Sequence, residues 1–534
     1  MTLEQPAHYN YDKRHITLGL ASIFLVYGTM GFSIQALNIA RPMIAADLGG
    51  MSIYAWSVSI PGLAGAFVTL IFGKLSDMYG RRIMLMISLA LALAGSVLSI
   101  FSNTFVFFIF ASALRSLGIG AIMPLVFAII GDMFPPVKRS RWIGLLQIPT
   151  GIAALFGPTL GGWFAGGWGW QYLFWLTSLL FIFCLILVPF GIPPLINRGL
   201  KQKIDVRGCL LMIVASSTTI LGISLGGSSY SWVSEPIVSL LSVSVISWFL
   251  FFREEYRAEE PILDPIVLRN RSFNTVVVAG FLSIMGQMGM MMYFPMFLQG
   301  VQGIDAALSG TIFTPYSVLM AFVGVPVGFM IAKTRRYKWM YITGYAIITV
   351  AMFGVILLNE DTPIYFSVLI ATLAGLGLGA IPTVNTMVIQ NAVPKRILGA
   401  AMGASFFCLM MSISVSPAII GSIEQAAYHK TLAASLPDEL NRIADEEIMS
   451  SLIDSQVLLS EEDMAALENA FKKMGSKGGA LFQPTVEAIQ KSMSASIKKV
   501  FWFGAITTLL SFLLIITIPE VPIGSTEEND HENS

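Results

Sequence analysis

The chain has 534 residues, 55% of them hydrophobic and 12% charged, and its 32 basic and 32 acidic side chains leave no net charge. That is more apolar surface than a soluble core of this length buries, and a mean hydropathy of +0.74 places the chain in lipid. The zero balance offers no basic surface to nucleic acid, and Cys184, Cys209 and Cys408 all lie in or at the ends of apolar runs, which argues against a disulfide framework.

Apolar runs of about 20 residues, enough to cross ~30 Å of hydrocarbon, recur along the chain. They predict fourteen transmembrane helices: 16–41, 53–73, 83–101, 105–132, 142–164, 171–191, 208–226, 233–252, 274–299, 306–332, 339–358, 364–392, 397–423 and 500–519. The first run continues through Gln35 and Asn38 without a small-residue cleavage pattern, so it reads as a retained span rather than a leader.

The connections test this segmentation, because Lys and Arg are held on the cytoplasmic side of short loops. Lys13 and Arg14 precede span 1, and every second connection is basic: Lys74, Arg81 and Arg82; Lys138, Arg139 and Arg141; Arg198, Lys201, Lys203 and Arg207. The alternation continues with Arg253, Arg257, Arg269 and Arg271, then Lys333, Arg335, Arg336 and Lys338, then Lys395 and Arg396. The intervening connections around Asp47, Asn103, Gly167, Ser229, Gly303 and Asp361 hold no Lys or Arg. Both termini are therefore expected in the cytoplasm, with the protein in the cell membrane.

Span 4 contains Leu117-Gly118-Ile119-Gly120-Ala121-Ile122-Met123-Pro124, and span 12 contains Leu376-Gly377-Leu378-Gly379-Ala380-Ile381-Pro382. Both spans run inward, so the pattern predicts two parallel six-span halves related by an axis along the membrane normal. The expected division is 1–192 for the first half, 193–272 for two inserted spans with their cytoplasmic loops, and 273–534 for the second half. The charges belong to the first copy: Arg115 corresponds to Ala374, and Asp132 to Asn391.

Between spans 2 and 3 stands Gly73-Lys74-Leu75-Ser76-Asp77-Met78-Tyr79-Gly80-Arg81-Arg82. Its glycines permit a tight turn and close helix approach, and its Asp can accept hydrogen bonds from a helix N-terminus. Span 5 carries Gly151, Gly157, Pro158, Gly161 and Gly162, a spacing that clears one helix face for packing and bends the axis at the proline. The first motif resembles the signature loop of the major facilitator superfamily, and the second is similar to that superfamily's antiporter motif. Fourteen spans point to its drug and proton antiporter branch.

The resemblance implies an all-α integral membrane fold of two six-helix halves plus two inserted helices, working by alternating access. It implies a cytoplasmic gate of Gly73, Asp77, Gly80, Arg81 and Arg82 with Asp132. It also implies a hinge and outer seal at the glycine-proline motif. That branch usually has an acid in span 1, but aligning on Asn38 and Pro42 puts Ser33 there, and Arg41 stands where an aliphatic residue is usual. No acidic residue falls near the centre of a span; Asp132, Glu235, Asp305 and Glu424 come closest, each read as standing at a helix end.

Arg115 is the reverse case, a cation inside a span, costly enough to mark a site. Family members often carry an Arg in span 4, at the position of Ser112. Gln35, Asn38, Gln147, Gln287, Tyr293, Tyr316 and Asn385 are the other polar candidates for a central cavity, beside a methionine-rich wall from Met285 to Met292. The polar stretch 424–498, with a helix from Ser460 to Met474, is expected outside the membrane, as a cover or a partner surface.

The sequence thus predicts a secondary active exporter of amphipathic organic compounds or drugs, coupled to protons, whose partners are a small-molecule substrate and membrane lipid. Export of an anionic or lipid-like metabolite such as a siderophore or glycolipid, or a non-transporting receptor on the same fold, are the alternatives. No catalytic constellation, metal-ligand cluster or nucleotide loop is present in the sequence, and no cofactor is expected.

Overall fold

A computed structural model describes residues 13–50, 53–192, 205–227, 230–258, 261–437, 440, 449, 452, 461–473 and 475–520. Inside a bilayer every backbone polar group must be satisfied within the chain, and the described residues accordingly form helices. These are α1 (Lys13–Asp47), α2 (Tyr54–Tyr79), α3 (Arg81–Ile100), α4 (Phe105–Met133), α5 (Pro136–Leu145), α6 (Gln147–Trp163) and α7 (Gln171–Gly191). Two inserted helices, α8 (Val206–Leu225) and α9 (Glu235–Glu255), and the short α10 (Pro265–Arg269) follow. The remainder are α11 (Arg271–Gly300), α12 (Ala306–Phe322), α13 (Gly324–Thr334), α14 (Lys338–Ile356), α15 (Ile364–Ala392), α16 (Leu398–Ser435), α17 (Glu461–Lys473) and α18 (Gly475–Ile516).

Among the described residues, 14 helical stretches are long and apolar enough to span a membrane. The fifth span comprises α5 and α6, and the tenth α12 and α13. Their ends are capped by polar side chains: Thr104 accepts from the Phe107 amide, Asn270 from Phe273 and Asp305 from Leu308. Gly80, at φ 96°, lets α2 turn directly into α3, in a backbone region that a β-carbon disfavours.

The repeat read from spans 4 and 12 is borne out in the packing. In the first six spans α1 packs on α6 and α7, α4 on α2 and α3, and α3 on α7; the corresponding pairs α11 with α16 and α18, α15 with α12 and α14, and α14 with α18 pack likewise. Gly118 lies against Ser88 and Ala92 of α3 while Gly120 lies against Gly65 of α2. Their counterparts Gly377 and Gly379 do the same to Gly344 and Ile348 of α14 and to Leu319 and Val323 at the end of α12.

Two seams join the halves, α2 with α16 and α5 with α13, and the half-repeat exchanges one for the other. The inserted pair breaks this symmetry, since α8 packs on both α16 and α2 and so covers one seam alone. Trp248 of α9 bonds Thr219 of α8 through its indole nitrogen at 3.0 Å and rests on Phe407 of α16.

Two expectations are corrected. Spans 13 and 14 belong to longer helices than expected: α16 runs on to Ser435 and α18 begins at Gly475, well before the expected start of span 14 at residue 500. Glu424 is consequently not at a helix end but within α16, 4% exposed, where Ser496 of α18 donates to its Oε1 at 3.1 Å. Span 5 is divided at Leu146, and α6 continues as helix through Pro158. Within the stretch 424–498, α17 packs on α18 with Phe471 edge-on to Phe482. Ser460 and Met474, and the loop residues Arg198, Lys201 and Lys203, lie outside the described residues.

Candidate functional site: a gate at the basic end and the cavity above it

Asp77, Arg81 and Asp132 are brought together at the end of the bundle that carries the basic connections. Arg81 Nη2 is 2.5 Å from Asp77 Oδ1, Arg81 Nε donates to Asp132 Oδ2 at 2.8 Å, and Arg81 Nη1 donates to Ser76 Oγ. The carboxylate of Asp77 also crosses to the second half, accepting the Gly399 amide on Oδ1 at 3.0 Å and the Ala400 amide on Oδ2 at 2.8 Å. It therefore caps the N-terminus of α16, where unpaired amides and the helix dipole favour an anion. Gly73 belongs to the same contact, because a Cβ there would collide with the Gly399 carbonyl. Gly80 supplies the turn, and Arg82 stands outside the cluster, half-buried.

Gly399, Gly403 and Leu398 are functional neighbours that sequence reasoning missed. The spacing of the two glycines at the start of span 13 was the available signal. The other seam is built in the same way: a Cβ on Gly144 would stand 2.6 Å from the Gly324 carbonyl, and one on Gly328 would collide with the Ser140 carbonyl. Gln390 reaches across the halves to donate to the Phe127 carbonyl at 2.9 Å, and Arg139 closes the end of α4 through the Gly131 carbonyl at 2.6 Å. On the axis between the halves, Tyr27 lies edge-on to Phe127, which stacks on Phe406 at 5.3 Å.

These contacts all fall between the middle of the helices and the basic end. The last of them in the glycine-proline motif is Gly151, against Ala321 and Phe322 of α12. Above that level residues on these helices become exposed. Gly310, Thr314 and Ser317 continue the Ala321 face of α12 and are exposed, as is Leu155, one turn above Gly151. Gly62 of α2 and Gly310 have nothing within 4 Å of a notional Cβ. The remaining motif glycines face α1 instead: Gly157 lies 2.7 Å by its notional Cβ from Gln35 Cβ, and Gly161 2.5 Å from the Ala36 carbonyl. Gly162 is half-buried. The open positions Gly62 and Gly310 lie toward the end opposite the basic loops.

The polar residues singled out within the spans do not form one cluster. Gln147 packs on Gly324, where the Thr383 hydroxyl also meets it, at the floor between the halves. Gln35 is half-buried against Gly157, and Asn38 is exposed. The others belong to the second half: Gln287 donates to Ser283 at 3.0 Å, Asn385 accepts from the Tyr341 hydroxyl, and Tyr316 stacks on Phe313 at 4.5 Å. The Tyr293 hydroxyl faces Gly421 and the Glu424 carboxylate. Arg115 is buried; its Nη1 donates to Ser33 Oγ at 2.5 Å, and its guanidinium lies 5.9 Å from the Phe174 ring centre. Among the described residues no group of three or more His, Cys, Asp or Glu side chains is placed to hold a metal ion.

Two six-helix halves in parallel repeat, with an inserted pair and paired seams, define a polytopic membrane protein of the transporter type. The family model of the Major Facilitator Superfamily matches residues 23–417, and the chain belongs to that superfamily. It is 26% identical over 498 residues to the multidrug transporter protein MdtP of Bacillus subtilis, covering 93% of this chain and 92% of that one. It is 27% identical over 522 residues to multidrug resistance protein 3 of the same organism, covering 95% and 96%. The crystal structure of the human organic anion transporter MFSD10 superposes with a TM-score of 0.59 at 12% identity, over 96% of this chain and 100% of that one; this likeness shows the fold alone.

Proposed function

We propose that the protein is a secondary active exporter of amphipathic organic compounds that works by alternating access and is driven by protons. The observation that carries this reading is that the tight contacts are one-sided: two glycine seams and the Asp77 cap on α16 join the halves at the basic end, while Gly62 and Gly310 toward the other end have open surroundings, which we read as an outward opening. By the distribution of Lys and Arg, the basic end is cytoplasmic, both termini lie inside the cell membrane, and the present state faces outward. The moving bodies are 1–192 and 273–534, with 193–272 riding at the α2–α16 seam. The names of the two bacterial relatives support a drug-like cargo.

Coupling requires a carboxylate that can be protonated from one side and released on the other. Glu424 suits this, being buried in α16 with a Ser496 hydroxyl on one oxygen and Tyr293 opposite. Asp132, in the gate cluster, is the second carrier. The outer helical segment around α17 offers a partner surface.

The test is dye efflux from proteoliposomes with and without an imposed proton gradient. Uphill export is expected only with the gradient. Glu424→Gln is expected to abolish uphill export while leaving substrate exchange. Binding without flux of any compound would instead identify a receptor, and flux indifferent to the gradient would remove the proton.

A further inference from the structure

The outer half of the first six spans contains two guanidinium groups and, among the described residues, no carboxylate that faces either of them. Arg115 spends Nη1 on Ser33 Oγ and, at 3.4 Å, on the Ser33 carbonyl, while its Nε is buried and donates to nothing. Arg41, farther out on α1, also has a buried Nε with no acceptor. The charge that bears on Arg115 is Arg41, which repels it, and the titratable neighbour of Arg41 is Tyr54 at the start of α2. Asp47, the next acid along α1, is engaged by the Trp170 indole at 2.8 Å.

Such an arrangement is unfavourable as it stands. A buried donor left unmade forfeits its hydration with nothing in return, the more so when charged, and two like charges in low dielectric add to the cost. An anion resolves both problems, because a carboxylate, phosphate or sulfonate offers several acceptor oxygens and matches the guanidinium fork.

The pair also lies beside the route. At about 100° per residue, Ile34, Asn38 and Arg41 share the face of α1 that carries Tyr27, and Tyr27 marks the axis between the halves through Phe127 and Phe406. Ile34 and Asn38 are exposed and Arg41 is half-buried, so this face borders the outward opening. Arg115 stands behind it, against Ser33.

We propose that Arg41 and Arg115 hold the acidic group of the cargo, so that the compound exported is an amphipathic anion. Arg41 makes the contact at the cavity wall, and Arg115 supplies a second positive charge from behind Ser33. The proposal rests on the transport reading and specifies its substrate class.

Binding is measured on the full chain in phosphatidylcholine nanodiscs, with anilinonaphthalene sulfonate as the anionic probe and tetraphenylphosphonium as the cationic one. The anion is expected to bind at least about tenfold more tightly, with an affinity that falls as salt rises. Arg41→Gln should weaken the anion about tenfold and leave the cation unchanged. Arg115→Gln can disturb packing around Ser33, so Ser33→Asp is the second variant. It sets a carboxylate against Arg115, neutralises the pair from within, and should lose the anion while admitting tetraphenylphosphonium. Displacement of the sulfonate by added phosphatidylglycerol would identify a lipid headgroup as the anion, and its persistence a soluble compound.

Tight tetraphenylphosphonium binding by the unaltered chain without sulfonate binding would overturn the proposal. So would an anion affinity unmoved in folded Arg41→Gln and Ser33→Asp. Proteoliposome flux separates the two levels: flux of the cation alone refutes the anion pair and keeps the transporter, whereas flux of neither probe nor any other dye refutes the transporter.

Discussion

Asp77 serves two partners at once, the Arg81 guanidinium on its own half and the first amides of α16 on the other. A hydrogen bond to an ionised group contributes about 1.5–3 kcal/mol, so Asp77→Asn should shift the balance between closed and open cytoplasmic ends by roughly ten- to a hundredfold. The expected outcome is a large fall in turnover with substrate affinity within about twofold, checked by efflux rate against equilibrium binding. Unchanged turnover would refute the latch. The Asp77–Arg81–Asp132 cluster was legible in the sequence because its residue types and spacing are distinctive. Its far partner was not, because a helix N-terminus binds through backbone amides that carry no side-chain signature, and Gly399 looks like any small residue in a membrane helix. Glu424 was misread for a related reason: its helix continues beyond the apolar run, and hydropathy marks where lipid ends rather than where a helix does.

The interruptions of spans 5 and 10, at Leu146 and Val323, occur in helices that face each other, and Gly144, Gln147, Gly324 and Gly328 sit on either side of them. Backbone against backbone leaves no room for a side chain, so Gly144→Leu should prevent closure of the cytoplasmic end without disturbing either half internally. Transport is expected to fall to background, while thermal stability drops by no more than a few degrees. Gly62→Ala, at an open position on α2, is the control and should transport normally. Pro158, of the glycine-proline motif, lies farther along span 5. A proline removes one hydrogen bond, which a membrane helix absorbs when its neighbours pack tightly, and Gly157 and Gly161 hold that stretch against α1. Periodic small residues announce close packing but do not say which neighbour is packed.

At the scale of the molecule, the half-repeat was the most informative feature of the sequence, since matching glycines in spans 4 and 12 implied matching contacts throughout each half. The inserted pair was legible as two spans but not as a cover over one seam, because its partners on α2 and α16 are distant in sequence. Rocking of the halves is read directly by spin labels at Gly62 and Gly310, both of which have space for one. The separation should be long in the resting protein and shorten in Asp77→Asn, as the cytoplasmic end opens and the outer end closes. A distribution indifferent to that substitution would argue against a single rigid-body exchange.

The continuity of α16 and α18 beyond their apolar runs has a mechanical consequence. Under the proposed topology, these helices of 38 and 42 residues would carry the motion of the second half outward as levers do. An overhang of about ten residues extends ~15 Å, so a tilt of some 15° displaces its tip by about 4 Å. An extracellular ligand gripping α17 would feel each transport cycle as a push, and by the same leverage could stall it from outside the cell.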